Sequence, residues 1–339
     1  MAHNPSFSQF DLRPDRPSVR SLILHFVLLL VTLCTATIAG VLYPFGFIDR
    51  FPSIDPQTWG EVAAAISWLP LLYASFVVSV IHDLLTKPEY LQYGLSFSLS
   101  LLFILISHEM GHYVACRLYR VDATLPFFIP TPPMIGPAGT FGAFIKIKSP
   151  MPSRKAVFDI GVAGPIAGFI ALIPIAILGV STMQTISAEQ VANASGAIVF
   201  SDPLLMKLIA GLFGIDLKFA VGNPFYFAAW LGSLVTALNL IPSGQLDGGH
   251  AIFSVFGERV HYWTGRIAFA VMASLSILGM YFYSSPSGFL IAILLGVMMR
   301  IRHPQPWDQT PLGAKRKVIA FLTLVIFVLS FMPFPIQIT

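Results

Sequence analysis

Residues 106–113, ISHEMGHY, lie near the C-terminal end of an apolar segment that runs from about residue 93 to 118. On an α-helix, His108 and His112 would share a face, where two imidazoles can bind one Zn²⁺. Glu109 lies between them and could act as a base toward a water molecule that the metal activates. Ionisable groups inside an apolar segment are costly and usually functional. The stretch therefore predicts a transmembrane helix that carries part of a zinc site.

The alternative is a pair of histidines that hydrogen-bond to neighbouring helices beside an unrelated glutamate.

The composition of the chain does not decide between these two interpretations, but it indicates a membrane environment. Of 339 residues, 55% are hydrophobic and 11% are charged, whereas soluble domains have about 25% charged residues. Apolar runs of roughly 20 residues recur without alternation, which favours helices over barrel strands as the spanning units. The chain should be a multi-pass protein in contact with the lipid bilayer.

We predict an all-α polytopic membrane protein with about eight transmembrane helices. The candidate spans are residues 21–43, 62–83, 93–118, 157–180, 224–244, 266–284, 287–301 and 317–336. The net charge of +4 does not indicate a nucleic-acid partner, because the basic residues cluster in short loops, where they set topology. The two cysteines, Cys34 and Cys116, both lie in apolar runs, which argues against a disulfide framework and a cysteine-rich zinc site.

The distribution of lysine and arginine predicts the orientation of the core. Basic residues concentrate in segments 117–155, 259–266 and 300–317, and such loops are usually cytoplasmic. The histidine pair then lies toward the cytoplasmic side. Counting eight spans backwards would place the basic tail of residues 1–20 outside, so the parity of the first two spans stays open. Because this tail lacks the composition of a transit peptide, we expect a bacterial inner membrane.

The connection 123–156 is too rich in proline and glycine for a regular helix. Alternation of side chains over residues 144–148 predicts a short β-strand. Non-helical backbone at membrane depth is tolerated only when it is buried in protein or faces a water-filled cavity. We expect a re-entrant loop or β-hairpin that offers Phe144, Ile145 and Lys146 as a docking edge for substrate. An ordinary interfacial loop is the alternative.

A catalytic zinc ion needs a third protein ligand and an open position for water. The best candidate is Asp247, which ends an apolar segment, precedes two glycines, and lies on the same side of the membrane as His112 in the predicted orientation. Asp247 could instead cap the next helix. His250 is a competing ligand.

Together these motifs resemble the site-2 proteases, a family of intramembrane zinc metalloproteases. The family carries H-E-x-x-H on one transmembrane helix and Asn-x-x-Pro…Leu-Asp-Gly on a later one, and the chain has both, as HEMGH at 108–112 and NLIPSGQLDG at 239–248. Residues 139–144 and 163–168 also look like the family's membrane-associated hairpin and its following helix. The resemblance covers roughly residues 95 to 260.

The resemblance implies a role for each motif residue. His108, His112 and Asp247 would bind one Zn²⁺ per chain, and Glu109 would be the general base. Asn239 would hold the substrate backbone or the oxyanion. The implied activity is hydrolysis of a peptide bond in the transmembrane segment of a single-span membrane protein, as in regulated intramembrane proteolysis. A zinc-binding membrane transporter or sensor without proteolytic activity is the alternative, and a catalytically silent scaffold is disfavoured because no motif residue is lost.

The resemblance also suggests how the chain is divided. We expect a flexible polar tail over 1–20, N-terminal transmembrane helices over 21–92, a catalytic core with three central helices over 93–260, and C-terminal transmembrane helices over 261–339. No PDZ-like insert or CBS-like tail is expected, so the layout resembles the PDZ-free branch of the family, which includes plastid and bacterial members.

Overall fold

The computed structural model describes residues 17–49, 56–187, 189–190, 198–301 and 303–338, and most of them are helical. The predicted tail, residues 1–20, lies outside the described residues up to position 16. In chain order the helices are α1 (Val19–Val41), α2 (Trp59–Thr86), α3 (Pro88–Leu118), α4 (Arg154–Ser181), α5 (Leu204–Phe213), α6 (Pro224–Asn239), α7 (Asp247–Phe256), α8 (Glu258–Tyr283), α9 (Ser287–Met298) and α10 (Ala314–Ser330).

Five of the described helices, α1, α2, α3, α4 and α8, are long and apolar enough to cross a membrane. A helix needs about 20 residues to span the hydrocarbon core. The predicted spans 224–244, 287–301 and 317–336 also contain helices, but α6, α9 and α10 have only 16, 12 and 17 residues. Helix α6 ends at Asn239 shortly before Pro242, which cannot continue the backbone hydrogen bonding of a helix. The multi-pass character is therefore clear, whereas the count of eight spans stays a prediction.

Helices α3, α4 and α6 pack against one another around a shared apolar core. Ile104 of α3, Leu172 of α4 and Trp230 of α6 are each at most 2% exposed and belong to one buried cluster. Side-chain caps start two of these helices: Ser153 accepts from the amide of Ala156 at α4, and an asparagine caps α6 in the same way. This bundle holds the two motif-bearing helices in fixed relation.

The connection between α3 and α4 contains a small antiparallel hairpin. Strand β1 (Phe127–Pro130) pairs with β2 (Thr140–Phe144), with Phe127 opposite Phe144. The strand predicted at 144–148 therefore begins earlier and ends at its first residue. Residues 145–148 continue beside 122–124 with irregular pairing, in which the Thr124 amide donates to the Lys146 carbonyl at 3.0 Å. The non-helical connection is found as predicted, while its depth in the membrane stays a prediction.

Two further sheets lie outside the bundle. Strand β3 (Gln184–Thr185) pairs with β5 (Ala220–Val221), and β4 (Ile198–Phe200) pairs with β6 (Ile336–Ile338). The first sheet joins the two ends of the connection between α4 and α6, and the second joins this connection to the strand that follows α10.

Helices α3 and α4 cross closely at Gly111. A Cβ atom there would lie 2.4 Å from the carbonyl oxygen of Ala163 on α4. Small residues at such crossings let helix backbones approach within a membrane. The crossing brings the histidines of α3 against the backbone of α4.

We expect Gly111→Ala to lower the free energy of unfolding by about 1–3 kcal/mol, because the added methyl group must push α4 away. Gly211→Ala is the matched control: Gly211 also lies in a helix, and a Cβ atom there would meet nothing within 4 Å. Thermal unfolding in detergent should show a lower midpoint for the first variant and an unchanged or higher midpoint for the second. Equal shifts in both would contradict the close crossing.

Candidate metal centre

Three ligand atoms from two distant stretches meet at one point. The Nε2 atoms of His108 and His112 are 3.2 Å apart, and each lies 3.3 Å from Oδ2 of Asp247. The two histidines lie one turn apart on α3, and Asp247 is the first residue of α7. Among the described residues, these three form the group of His, Cys, Asp and Glu side chains that could hold a metal ion.

The distances and the chemistry of this group fit zinc. Three ligand atoms bound to a tetrahedral Zn²⁺ at typical lengths lie about 3.3–3.6 Å from one another, close to the triangle seen here. Two imidazoles and one carboxylate form a common donor set for catalytic zinc and leave one position open.

The backbone of α4 orients His112 for this role. Its Nδ1 lies 2.7 Å from the carbonyl oxygen of Ile160. Because a carbonyl can only accept, Nδ1 donates the hydrogen, and in the neutral ring Nε2 is the nitrogen that can bind a metal ion at the centre of the triangle. Such hydrogen bonds from the second ring nitrogen are typical of metal-binding histidines.

Asp247 does not cap α7 with its side chain. Leu246 is the N-cap residue and no side-chain capping bond is formed, so the capping alternative is not what the structure shows. Burial alone would raise the pKa of Asp247, but the neighbouring imidazoles of His112 and His108 lower it below its ordinary value. The carboxylate is therefore ionised and can neutralise part of a cation's charge.

The two other predicted catalytic side chains lie at the same centre. Glu109 is 7% exposed, and the backbone amide of Ile145 donates a hydrogen bond toward its carboxylate. The Nδ2 atom of Asn239, at the end of α6, lies 3.4 Å from Nε2 of His108. All five motif side chains thus converge, although they are separated by up to 139 positions, from 108 to 247.

A cavity of about 450 Å³ opens onto this group. Its lining includes the five motif residues together with Phe144, Ile145 and Lys146. The predicted docking edge is therefore next to the predicted metal ligands.

The glycines of α4 fit closely around the site. A Cβ atom on Gly164 would lie 2.0 Å from Nε2 of His112, and one on Gly168 would lie 3.0 Å from Cβ of His108. The spacing of these glycines on one helix face is typical of a helix-packing surface, and the residues that pack against it here are the two histidines of the site.

His250, the competing ligand, stands outside the group of three. Its Nδ1 lies 2.7 Å from Nε2 of His303 instead. No motif in the sequence singles out His303, which lies in the connection between α9 and α10.

Comparisons with known proteins support the same family. A model of peptidase family M50 matches residues 96–280. "Probable zinc metalloprotease EGY1, chloroplastic" of Arabidopsis thaliana is 29% identical over 245 residues, which cover 71% of this chain and 43% of the relative. "Probable zinc metalloprotease EGY2, chloroplastic" of the same plant is 29% identical over 302 residues, covering 85% and 52%. The EGY1 protein of Oryza sativa subsp. japonica is 28% identical over 254 residues, covering 72% and 41%.

The chain therefore spans about half, or less, of the length of these relatives. No solved structure matches it significantly. The relatives are named chloroplastic, so the predicted bacterial inner membrane has no support. The family match covers more than half of the 339 residues and includes both motifs. The chain belongs to peptidase family M50, the site-2 protease family.

Proposed function

We propose that the protein is a zinc-dependent intramembrane endopeptidase that cleaves transmembrane segments of single-span membrane proteins. The observation that carries the proposal is the triangle of His108, His112 and Asp247, with Glu109 beside it in one cavity. The printed names of the relatives, probable zinc metalloproteases, agree with it. A transporter would need further ligand groups along a path, and the described part of the chain offers this one group.

One Zn²⁺ per chain, held by His108, His112 and Asp247, would supply a Lewis acid that activates water and polarises the scissile carbonyl. Glu109 takes a proton from the attacking water and passes it to the leaving amine. The side-chain amide of Asn239 donates to the substrate backbone or to the developing oxyanion.

The docking edge is proposed to hold the substrate in an extended form. A helical peptide bond is shielded by its own hydrogen bonds, so a substrate helix must unwind before hydrolysis. The backbone amide of Lys146 already bonds to Oγ1 of Thr124 at 2.9 Å, on the side away from Glu109. The amide of Ile145 points to the opposite side, where it contacts the Glu109 carboxylate. A strand added at this edge would exchange that contact for pairing with the amide.

The finer membrane arrangement is also proposed here. The three shorter helices α6, α9 and α10 would bring the spans to eight, and the hairpin of β1 and β2 would be re-entrant. The division at residues 20, 92 and 260 keeps the three central helices in one catalytic unit. Basic loops would place the site toward the cytoplasmic side of its membrane.

We expect Glu109→Gln to reduce cleavage by about 100-fold or more, because it removes the general base. Glutamine keeps the size of the side chain, so bound zinc should stay at the wild-type level. The measurement is cleavage of a panel of doubly tagged single-span model proteins by the purified full chain, with zinc determined by mass spectrometry. Unchanged cleavage with zinc bound would refute the peptidase proposal, whereas zinc flux in vesicles that survives this substitution would favour a transporter.

We expect Asp247→Ala to weaken zinc binding by about 100-fold or more, since ligand loss should cost at least as much as loss of an outer-shell partner. The exposed Asp216, which caps a short turn, provides the control Asp216→Ala. Competition with a fluorescent zinc chelator measures both affinities. Equal affinities would remove Asp247 from the ligand set.

We expect Ile145→Pro to lower cleavage about tenfold while leaving zinc content unchanged, because proline removes the amide that faces the cavity. Ile145→Val keeps the amide and should retain near-normal cleavage of the same tagged proteins. If valine and proline variants behave alike, backbone pairing at this edge is wrong.

A further inference from the structure

A pair of histidines outside the ligand set, one half-buried and one buried, adjoins the cavity. His250 lies three positions after Asp247 on α7, and its ring is part of the cavity wall. His303 comes from the connection between α9 and α10 and is 8% exposed. Its ring stacks on Phe253 with a centroid distance of 3.9 Å and an interplanar angle of 13°. This stacking fixes the plane of the His303 ring.

The hydrogen bonds of the pair determine where the protons lie. Nδ1 of His303 is 2.8 Å from the carbonyl oxygen of Pro304, so it must donate. Burial, with a smaller effect of His250, lowers the pKa of His303 to about 3. The ring is therefore neutral at neutral pH, and its Nε2 is an acceptor.

The same logic extends to His250. Its Nδ1 lies 2.7 Å from Nε2 of His303 and must carry the hydrogen of that bond. In a neutral imidazole with Nδ1 protonated, Nε2 holds a lone pair. No partner for Nε2 of His250 is found among the described residues, and the ring borders the cavity. The cavity wall formed by α7 therefore contains an unused hydrogen-bond acceptor.

His250 can lie close to α4 because position 161 of that helix is a glycine. A Cβ atom on Gly161 would lie 2.8 Å from Cβ of His250. His261 does not take part in the same way, because its Nε2 bonds to the carbonyl of Gly244 at 2.9 Å. The arrangement is thus specific to the pair of His250 and His303.

An extended peptide has hydrogen-bonding groups along both edges. If one edge pairs with the strand edge at Ile145, the other edge presents amide donors to the remaining cavity walls. A buried donor without an acceptor is costly, so an acceptor on the α7 wall would favour binding.

We propose that Nε2 of His250 accepts a hydrogen bond from a backbone amide of the bound substrate, and that His303 is a positioning residue that holds His250 in the required tautomer. The inference rests on the proposed peptidase function. It assigns to the connection between α9 and α10 a part in substrate binding.

Two variants of His250 test the acceptor. Asparagine places an amide near the position of Nδ1 and so can keep the bond to His303, whereas glutamine places an oxygen near the position of Nε2. Two zinc-binding probes, a dipeptide hydroxamate and acetohydroxamate, differ in whether they carry peptide amides. In the zinc-loaded full chain, His250→Asn should weaken the dipeptide hydroxamate roughly five- to tenfold and leave acetohydroxamate unchanged. His250→Gln should restore the affinity.

The outcomes separate this inference from the proposed function. If the wild-type chain binds both probes and His250→Asn binds them equally well, the acceptor role is wrong while the zinc peptidase stands. Loss of zinc in His250→Asn would make His250 a ligand and also overturn the inference. A wild-type chain that binds neither probe would overturn the zinc peptidase and the inference together.

The tautomer of His250 can be measured directly, without an assay of peptidase activity. In ¹⁵N-histidine-labelled protein, the ring nitrogen shifts of His250 should show Nδ1 protonated. His303→Gln keeps an acceptor and should preserve this state, whereas His303→Phe keeps a stacked ring without an acceptor and should populate the other tautomer. Wild-type protein with Nε2 of His250 protonated, or equal spectra in both variants, would refute the positioning role.

Discussion

The close approach of α4 to the histidines is the constraint on which the site depends. Gly161, Gly164 and Gly168 lie on one face of α4, and each faces a different histidine: His250, His112 and His108, respectively. A side chain at the middle position would occupy the space of the Nε2 atom of His112. The absence of side chains on this face allows α3 and α7 to meet the same stretch of α4. The ligand triangle is therefore a product of helix packing as much as of the ligands themselves.

The burial of charged groups at this site costs free energy and opposes the packing. Two imidazoles and two carboxylates lie together in a largely apolar bundle, where isolated charges are expensive. The two imidazoles stabilise the Asp247 anion. The three side chains together can then bind a divalent cation. Glu109 is not a member of the triangle, so in the proposed mechanism its carboxylate is available for proton transfer. The backbone amide of Ile145 contacts this carboxylate.

Much of the site could be predicted because its main features are local or repeat at helical spacing. His108 and His112 share a face at a spacing of four, and two glycines after Asp247 mark the start of a helix whose first residue reaches the pair. The end of α6 depends on Pro242 and the bounds of β2 depend on pairing with β1, so length and alternation alone misplaced them. His303 could not be found, since its role depends on a tertiary contact with His250.

The amides beside the cavity alternate in direction, and under the proposed function this alternation has a consequence for where a substrate would be cut. The amide and the carbonyl of Lys146 both hydrogen-bond to Thr124, whereas the amide of Ile145 faces the cavity. A chain that pairs with such an edge must slide by two residues to keep the same side chains facing the same walls. If a substrate pairs with this edge as proposed, alternative cleavage points within it would differ by an even number of residues, and the lengths of the products would show which register the strand had taken.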